Sequence, residues 1–313
     1  MRSAPFSIKW PHGKTFAFTI FDDTDLSTFA NVAPVYELLE ECRIITTKSV
    51  WPIKGNYNPR VGGDTCENKD YLNWIYRLKH SGFEIALHNV TFHTSKRLQI
   101  QRGFERFKEL FGDYPTSFAN HTGCNEGIYW GDARLTDGRR FIYNILTRFR
   151  RQNQFRGHLE GDELFWGDIS KEKVKFVRNF VFRDINTLKR CPFMPYHDPA
   201  KPFVNYWFAS SEGAKVKAFN RCLRESNQDR LEEEGGACIM YTHLADGFYQ
   251  RGQLNSDFER LIKRLSRKNG WFVPVSTLMD YILEKRGPYT INDTERKWLE
   301  WRWLYDKLII WSS

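Results

Sequence analysis

Thr15-Phe16-Ala17-Phe18-Thr19-Ile20-Phe21-Asp22-Asp23 is an uncharged, β-favouring run that ends abruptly in two acids. A run of that length with no polar alternation predicts a strand buried on both faces, delivering Asp22 and Asp23 at its carboxyl end. The residues around it supply the rest of the pattern. Val32, Val35, Tyr36, Leu39 and Cys42 recur at helical spacing, with Pro34 tolerable only near a first turn. Ile44 to Val50 reads as a second strand, and Asn56 to Asn68, rich in Gly, Asn and Pro, as a loop. Lys69 to Ser81 is helical by pattern and stopped by Gly82; Phe83 to Leu87 is then a third strand ending at His88. Ile100, Phe104, Phe107 and Phe111 share a helical face closed by Gly112, and Ser117 to Asn120 reads as a fourth strand.

Beyond residue 135 the periodicity is less regular, but Ala237 to Thr242 reads as a strand ending at His243. Ser256-Asp257-Phe258-Glu259 has the form of a capping box ahead of Phe258, Leu261, Ile262 and Leu265; Trp271 to Val275 is a strand and Thr277 to Leu283 a helix. The β–α alternation predicts one α/β domain with a mostly parallel sheet, closed as a barrel or doubly wound.

Composition narrows the function classes. The chain has 313 residues, enough for a core without disulfide or metal staples, and 41% of them are hydrophobic. No uncharged apolar run approaches the roughly 20 residues that span a bilayer. The opening MRSAPFSIKWPHGK has no apolar h-region, so a cytoplasmic location is the expectation. Six cysteines without a CxxC pair read as reduced structural thiols.

In parallel sheets reactive groups gather at the carboxyl ends of strands. Asp22-Asp23-Thr24-Asp25 crowds three carboxylates together, which reads either as a helix cap or turn or as an acid cluster neutralised by a cation. His88 and His93 are five residues apart and would diverge by about 140° on a helix, so they converge on one ion only across a strand end and loop. Otherwise each is a satisfied surface or core histidine. Two imidazoles and a carboxylate with open positions describe a catalytic rather than a structural metal site.

The order TIFDD (Thr19 to Asp23), EIALHNVTFH (Glu84 to His93), a Trp-containing segment, Thr242-His243 and WFVPVSTLMDYIL (Trp271 to Leu283) resembles the polysaccharide deacetylase, or NodB-homology, family over roughly residues 10 to 285. The resemblance implies an α/β fold, a distorted (β/α)7-type barrel, and metal-dependent removal of an acetyl or related acyl group from an amino sugar. Carried over by motif, it implies Asp22 as general base, Asp23, His88 and His93 as ligands of a divalent ion, zinc first among them, and His243 as general acid. Four residues separate the two histidines where the family has three, so either one residue bulges out or His93 is not the ligand, and His121 is a rival third ligand. The family's third motif supplies an Arg, whereas Phe118-Ala119-Asn120-His121-Thr122-Gly123 has none, which turns Asn120 and His121 toward orienting or substrate-binding work. The acetyl-pocket motif matches Phe165-Trp166-Gly167-Asp168 or Tyr129-Trp130-Gly131-Asp132, making Tyr129, Trp130, Trp166 and Asp168 substrate-binding candidates. Tyr241 stands where the family has Leu. A catalytically silent relative that binds a glycan or nucleotide sugar is the alternative.

The net charge of +9 comes from 47 Lys+Arg against 38 Asp+Glu, and its centre of gravity is one stretch. Arg139, Arg140, Arg148, Arg150, Arg151 and Arg156 lie between Gly138 and Leu159 with no acid among them. This is either a solvated face or a phosphate site, because arginine forks suit phosphate oxygens. The expected partner is an amino sugar on a nucleotide or lipid pyrophosphate in cell-surface polysaccharide or O-antigen assembly. With no helix-turn-helix, zinc-finger or RNP signature, nucleic acid is disfavoured. The domain reading is a catalytic unit over 1–286 and an aromatic helical tail over 287–313. In that tail Trp298, Trp301, Tyr305, Leu308 and Ile309 form one face, read as packing on the domain, resting in a membrane interface or making a homodimer; Trp303 and Trp311 complete its tryptophans.

Overall fold

A computed structural model describes residues 8–57, 59 and 61–311, except the side chains of 309–311. The side chains of Ile309 and Trp311, the amino-terminal residues 1–7, and Asn58 and Arg60 of the predicted loop therefore lie outside the described residues. Among the described residues, seven parallel strands follow one another around a closed barrel: β1 (Phe16–Asp22), β2 (Thr47–Val50), β3 (Glu84–Leu87), β4 (Ser117–Phe118), β5 (Phe176–Phe182), β6 (Tyr206–Glu212) and β7 (Ala237–Thr242). The last strand returns to the first in continuous register, from Ala17↔Ala237 to Asp22↔Thr242. This is a (β/α)7 barrel.

The barrel is distorted at β1. Only Phe21 and Asp22 pair with β2, through Thr47 and Lys48, and the short strand Gly270–Phe272 runs along the other end of β1 from Phe16 to Phe18. Every residue of β1 is buried, as its uninterrupted apolar run requires.

Helices layer the outside. Phe29–Glu41 starts earlier than the apolar spacing suggests because Thr28 and Asn31 form a reciprocal capping box (2.8 and 3.3 Å), which leaves Pro34 inside the helix. Asn68 caps Lys69–His80 through the N–H groups of Asp70 and Tyr71. Arg97–Phe111 ends at Gly112, whose φ of 93° needs no side chain. Gly103 of that helix lies so close to the loop after β3 that a Cβ would come within 2.4 Å of Val90. The predicted capping box at Ser256 shifts by one residue: Asn255 is the cap, accepting from the N–H of Phe258 (3.0 Å).

Strand β5 escapes a pattern reading because Arg178-Asn179 interrupts its apolar run and the register against β6 shifts between Arg178 and Val181. The helix Asp293–Trp311 packs on the barrel side rather than standing apart. Glu300, fully buried, accepts from Arg139 Nε (2.5 Å) and Thr136; Asp306 pairs with Arg190 (2.7 Å); Trp303 stacks on Tyr143. The inward face is thus Leu299, Glu300, Trp303 and Leu304, whereas Trp298, Trp301, Tyr305 and Leu308 are exposed. All six cysteines are free thiols. Among the described residues no helix is long and apolar enough to cross a membrane.

Candidate metal centre and its pocket

Successive side chains on a strand point to opposite faces, so Asp22 and Asp23 cannot share one. Asp22 turns toward the helix Phe29–Glu41. There Lys48 Nζ (2.9 Å), the Tyr36 hydroxyl (3.1 Å) and the N–H of Leu244 (2.8 Å) occupy its carboxylate, leaving no exposed surface. Asp23 turns inward with Phe21. Both its oxygens accept from Arg178 of β5 (2.7 and 2.6 Å), whose guanidinium rests 4.4 Å from the centre of the Tyr241 ring. Burial alone would raise the Asp23 carboxyl, but the Arg178 charge beside it holds it below the ordinary carboxylate range.

Two residues on, the chain reverses in a turn closed by Ser27 N–H on the Thr24 carbonyl (3.0 Å), with Leu26 at φ 63°. Asp25 is thereby carried over the barrel mouth. Its Oδ1 lies 3.2 Å from His88 Nε2 and 2.9 Å from His121 Nδ1, and those two nitrogens are 3.3 Å apart. Its Oδ2 lies 3.2 Å from His243 Nε2.

The three imidazoles come from the ends of β3, β4 and β7. His88 Nδ1 donates to the Ala119 carbonyl (3.0 Å), which leaves Nε2 with its lone pair facing Asp25. His243 Nδ1 is likewise committed to the Ala214 carbonyl (2.9 Å). Asn89 braces the adjoining loops: its Oδ1 accepts from the N–H of His121 (2.7 Å) and its amide donates to Glu126 (2.9 Å). Burial pushes the Glu126 carboxyl up to about 7.

Asp25 Oδ1 is buried, and although two ring nitrogens approach it closely, neither aligns as a hydrogen bond. Burial opposes charge on Asp25, yet the surrounding His88, His121 and His243 hold its carboxyl well below the usual range. The same contact raises His243 to about 9 against the opposing effect of burial. An orphaned carboxylate oxygen beside an imidazole lone pair and a second ring nitrogen, all within 4.8 Å of one another, fits a divalent cation. Asp25, His88 and His121 are the residues that would hold it.

The structure gathers some of the predicted site residues and not others. Asp23, His88, His121 and His243 come together, joined by Asp25. Asp22 does not, being spent on Lys48 and Tyr36 on the opposite face of β1. His93 does not either: its Nε2 accepts from the N–H of Asn56 (3.0 Å), its Nδ1 donates to the Thr94 carbonyl (2.9 Å), and its ring stacks on Tyr57. With both nitrogens engaged it offers no lone pair to an ion.

A cavity of about 380 Å³ opens above Asp23, Asp25 and His88, walled by Trp130, Tyr143, Tyr241 and Trp303. Asn120 borders it, but its amide is used on both sides to hold Ile128 (2.7 and 3.2 Å). Tyr129 is turned away, stacked against His158 and Phe203. Of the rival acetyl-pocket motif, Trp166 is buried against Phe104 and Phe118 with its Nε1 on the Glu126 carbonyl (2.6 Å), and Asp168 is at the surface in an ion pair with Arg97 (2.6 Å). Neither lines the cavity.

No protein-family model matches the sequence, and no curated protein matches it. Solved structures do. A Puue allantoinase superposes with a TM-score of 0.53 at 13% identity, covering 91% of this chain and 96% of that one. A probable polysaccharide deacetylase from Pseudomonas aeruginosa PAO1 gives 0.50 at 13% identity, covering 90% and 96%. The fold is the polysaccharide deacetylase fold. Two differently named activities share it, so the site has to decide the chemistry.

Two contributors have only faint sequence signals. Asp25 is visible as the third acid of the cluster, and Arg178 as a lone charge inside an otherwise apolar run.

Proposed function

We propose that the chain is a metal-dependent hydrolase that removes an acetyl or related acyl group from the nitrogen of an amino sugar. The observation that carries this reading is the convergence of Asp25 Oδ1, His88 Nε2 and His121 Nδ1 on the floor of a pocket. Two imidazoles and one carboxylate suit zinc or a similar divalent ion with positions left for substrate. Such an ion, when bound, supplies Lewis acidity toward an amide carbonyl and lowers the pKa of a water.

The remaining work falls to the chain's own groups. Asp23 accepts the proton of the attacking water at a carboxylate oxygen, and its bidentate pairing with Arg178 fixes that oxygen in place. This is the oriented acid–arginine pair that the fourth strand end lacks, supplied instead from β5. His243, its Nδ1 held by Ala214, faces the pocket through Nε2 and donates to the departing amine nitrogen. The motif resemblance and the solved neighbour named as a probable polysaccharide deacetylase both favour an N-acylated sugar.

Acetate release from an N-acetylglucosamine conjugate tests the reading. It should disappear on chelation, return with zinc or cobalt, and fall by about a thousandfold or more in His121→Ala. Release that is indifferent to chelation would contradict it. Sugar binding without release from any N-acyl hexosamine conjugate would favour the silent glycan-binding alternative.

A further inference from the structure

The arginine-rich stretch resolves into residues with different duties. Arg139 is spent on Glu300, Arg140 on Asp132 and Arg156 on Asp162, while Arg148 and Arg150 are exposed. Arg151 alone lines the cavity over the candidate metal centre. Two cations from elsewhere join it there: Arg134, from the turn of helix Gly131–Arg134, and Lys307, from the carboxyl-terminal helix.

Among the described residues none of these three has an ion-pair partner. Arg134 is the most unusual, being only 7% exposed. Its Nε has no hydrogen-bond partner, and its guanidinium lies flat against Trp130, 3.2 Å from the ring centre, with Trp303 5.2 Å away. Burial lowers Arg134 to about 9 and also lowers Lys307, the latter against the opposing pull of Glu212 and Asp306. The acids on the cavity wall do not pair with these cations. Asp23 is taken by Arg178 and Asp25 by imidazoles; Glu212, whose Oε1 accepts from the N–H of Ala214 (3.0 Å), favours the charge on Lys307 but forms no ion pair with it, and one carboxylate does not balance three cations. A buried, unpaired guanidinium is costly unless an anion completes it.

We propose that Arg134, Arg151 and Lys307 form a subsite for a phosphate or pyrophosphate group, so that the substrate is a phosphate-bearing sugar rather than a neutral glycan. Three cations with no ion pair among the described residues match a multiply charged anion better than a single carboxylate, and two planar forks suit phosphate oxygens. The identity of the attached sugar rests on the deacylase reading; the subsite itself does not.

Calorimetric titration with inorganic pyrophosphate on chelator-treated protein tests it. Binding is expected in the wild type, weakened about tenfold in Arg151→Gln and in Lys307→Gln and further in the pair, and unchanged in Arg148→Gln. These positions are half-buried or exposed, so the variants do not depend on replacing the buried Arg134. His88→Ala should bind pyrophosphate like the wild type, which separates the subsite from the metal centre. A uridine-diphosphate-linked and a farnesyl-pyrophosphate-linked N-acetylglucosamine distinguish nucleotide from lipid as carrier, and tighter binding of either than of free N-acetylglucosamine supports the subsite. Pyrophosphate binding that is absent, equal in Arg151→Gln and Lys307→Gln, or equally weakened by Arg148→Gln would overturn it. So would glucuronate binding as tightly as pyrophosphate.

Discussion

The floor and the wall of the cavity have opposite deficits. On the floor, Asp25, His88 and His121 present a carboxylate oxygen, an imidazole lone pair and a ring nitrogen to one another with no hydrogen bond on the carboxylate oxygen, an arrangement that lacks a cation. On the wall, Arg134, Arg151 and Lys307 lie together with no ion pair among the described residues, and Glu212 is the one acid beside them that is not already held by an arginine or imidazoles, so three cations outnumber it. Neither half compensates the other. Asp23 and Arg178 sit among them with their charges already paired through two short hydrogen bonds. Groups that only needed to be stable could have been paired as these two are, so the unpaired ones mark where ligands enter.

The largest expected effect separates the two halves. His88→Ala should reduce deacylation about a thousandfold or more while leaving the wall's anion affinity intact, and Lys307→Gln should leave divalent-ion binding unchanged. If either substitution impaired both properties equally, floor and wall would be one unit rather than two.

Next comes the pair that bridges them. Arg178→Met strands a buried carboxylate, and a loss of about 3–5 kcal/mol in urea unfolding is expected. Asp23→Asn in the same background should recover part of it. A double variant no more stable than Arg178→Met would mean that the pair is not coupled.

Trp303→Ala sharpens the role of the carboxyl-terminal helix in the wall. Trp303 packs on Tyr143 and Phe180 and lies beneath Arg134, and its truncation should cost about 3–5 kcal/mol and weaken anion binding. Loss of stability with full anion affinity would detach this helix from the site.

The smallest effect is a pH dependence behind the wall. Burial, with Arg140 nearby, depresses His158 to about 4, and its Nδ1 accepts from the N–H of Tyr129. Its contribution to stability is therefore present above the unfolded pKa of about 6.5 and is lost as pH falls toward 4. His158→Gln should flatten unfolding free energy over that window; an unchanged slope would assign the acid sensitivity elsewhere.

Much of the barrel was legible in the sequence. The apolar run of β1, the third strand ending at His88 and the strand Ala237–Thr242 with His243 after it all appear where the patterns put them. What escaped has physical causes. Strand alternation sends Asp22 and Asp23 to opposite faces, while a turn brings Asp25 back over the mouth, a reversal that no spacing records. His88 and His93 are close in sequence, but the loop after β3 buries the second ring against Tyr57 and backbone groups. Arg178 meets Asp23 across 155 residues of chain. The helical face of Trp298 and Trp301 faces outward because Glu300, a charge on the buried face, is neutralised by Arg139.

The proposed ion site consists of Asp25, His88 and His121. Equilibrium dialysis of zinc against the wild type, His121→Ala and His93→Ala tests it most directly. One ion per chain in the wild type and in His93→Ala, lost in His121→Ala, is the predicted result. Retention in His121→Ala with loss in His93→Ala would contradict it.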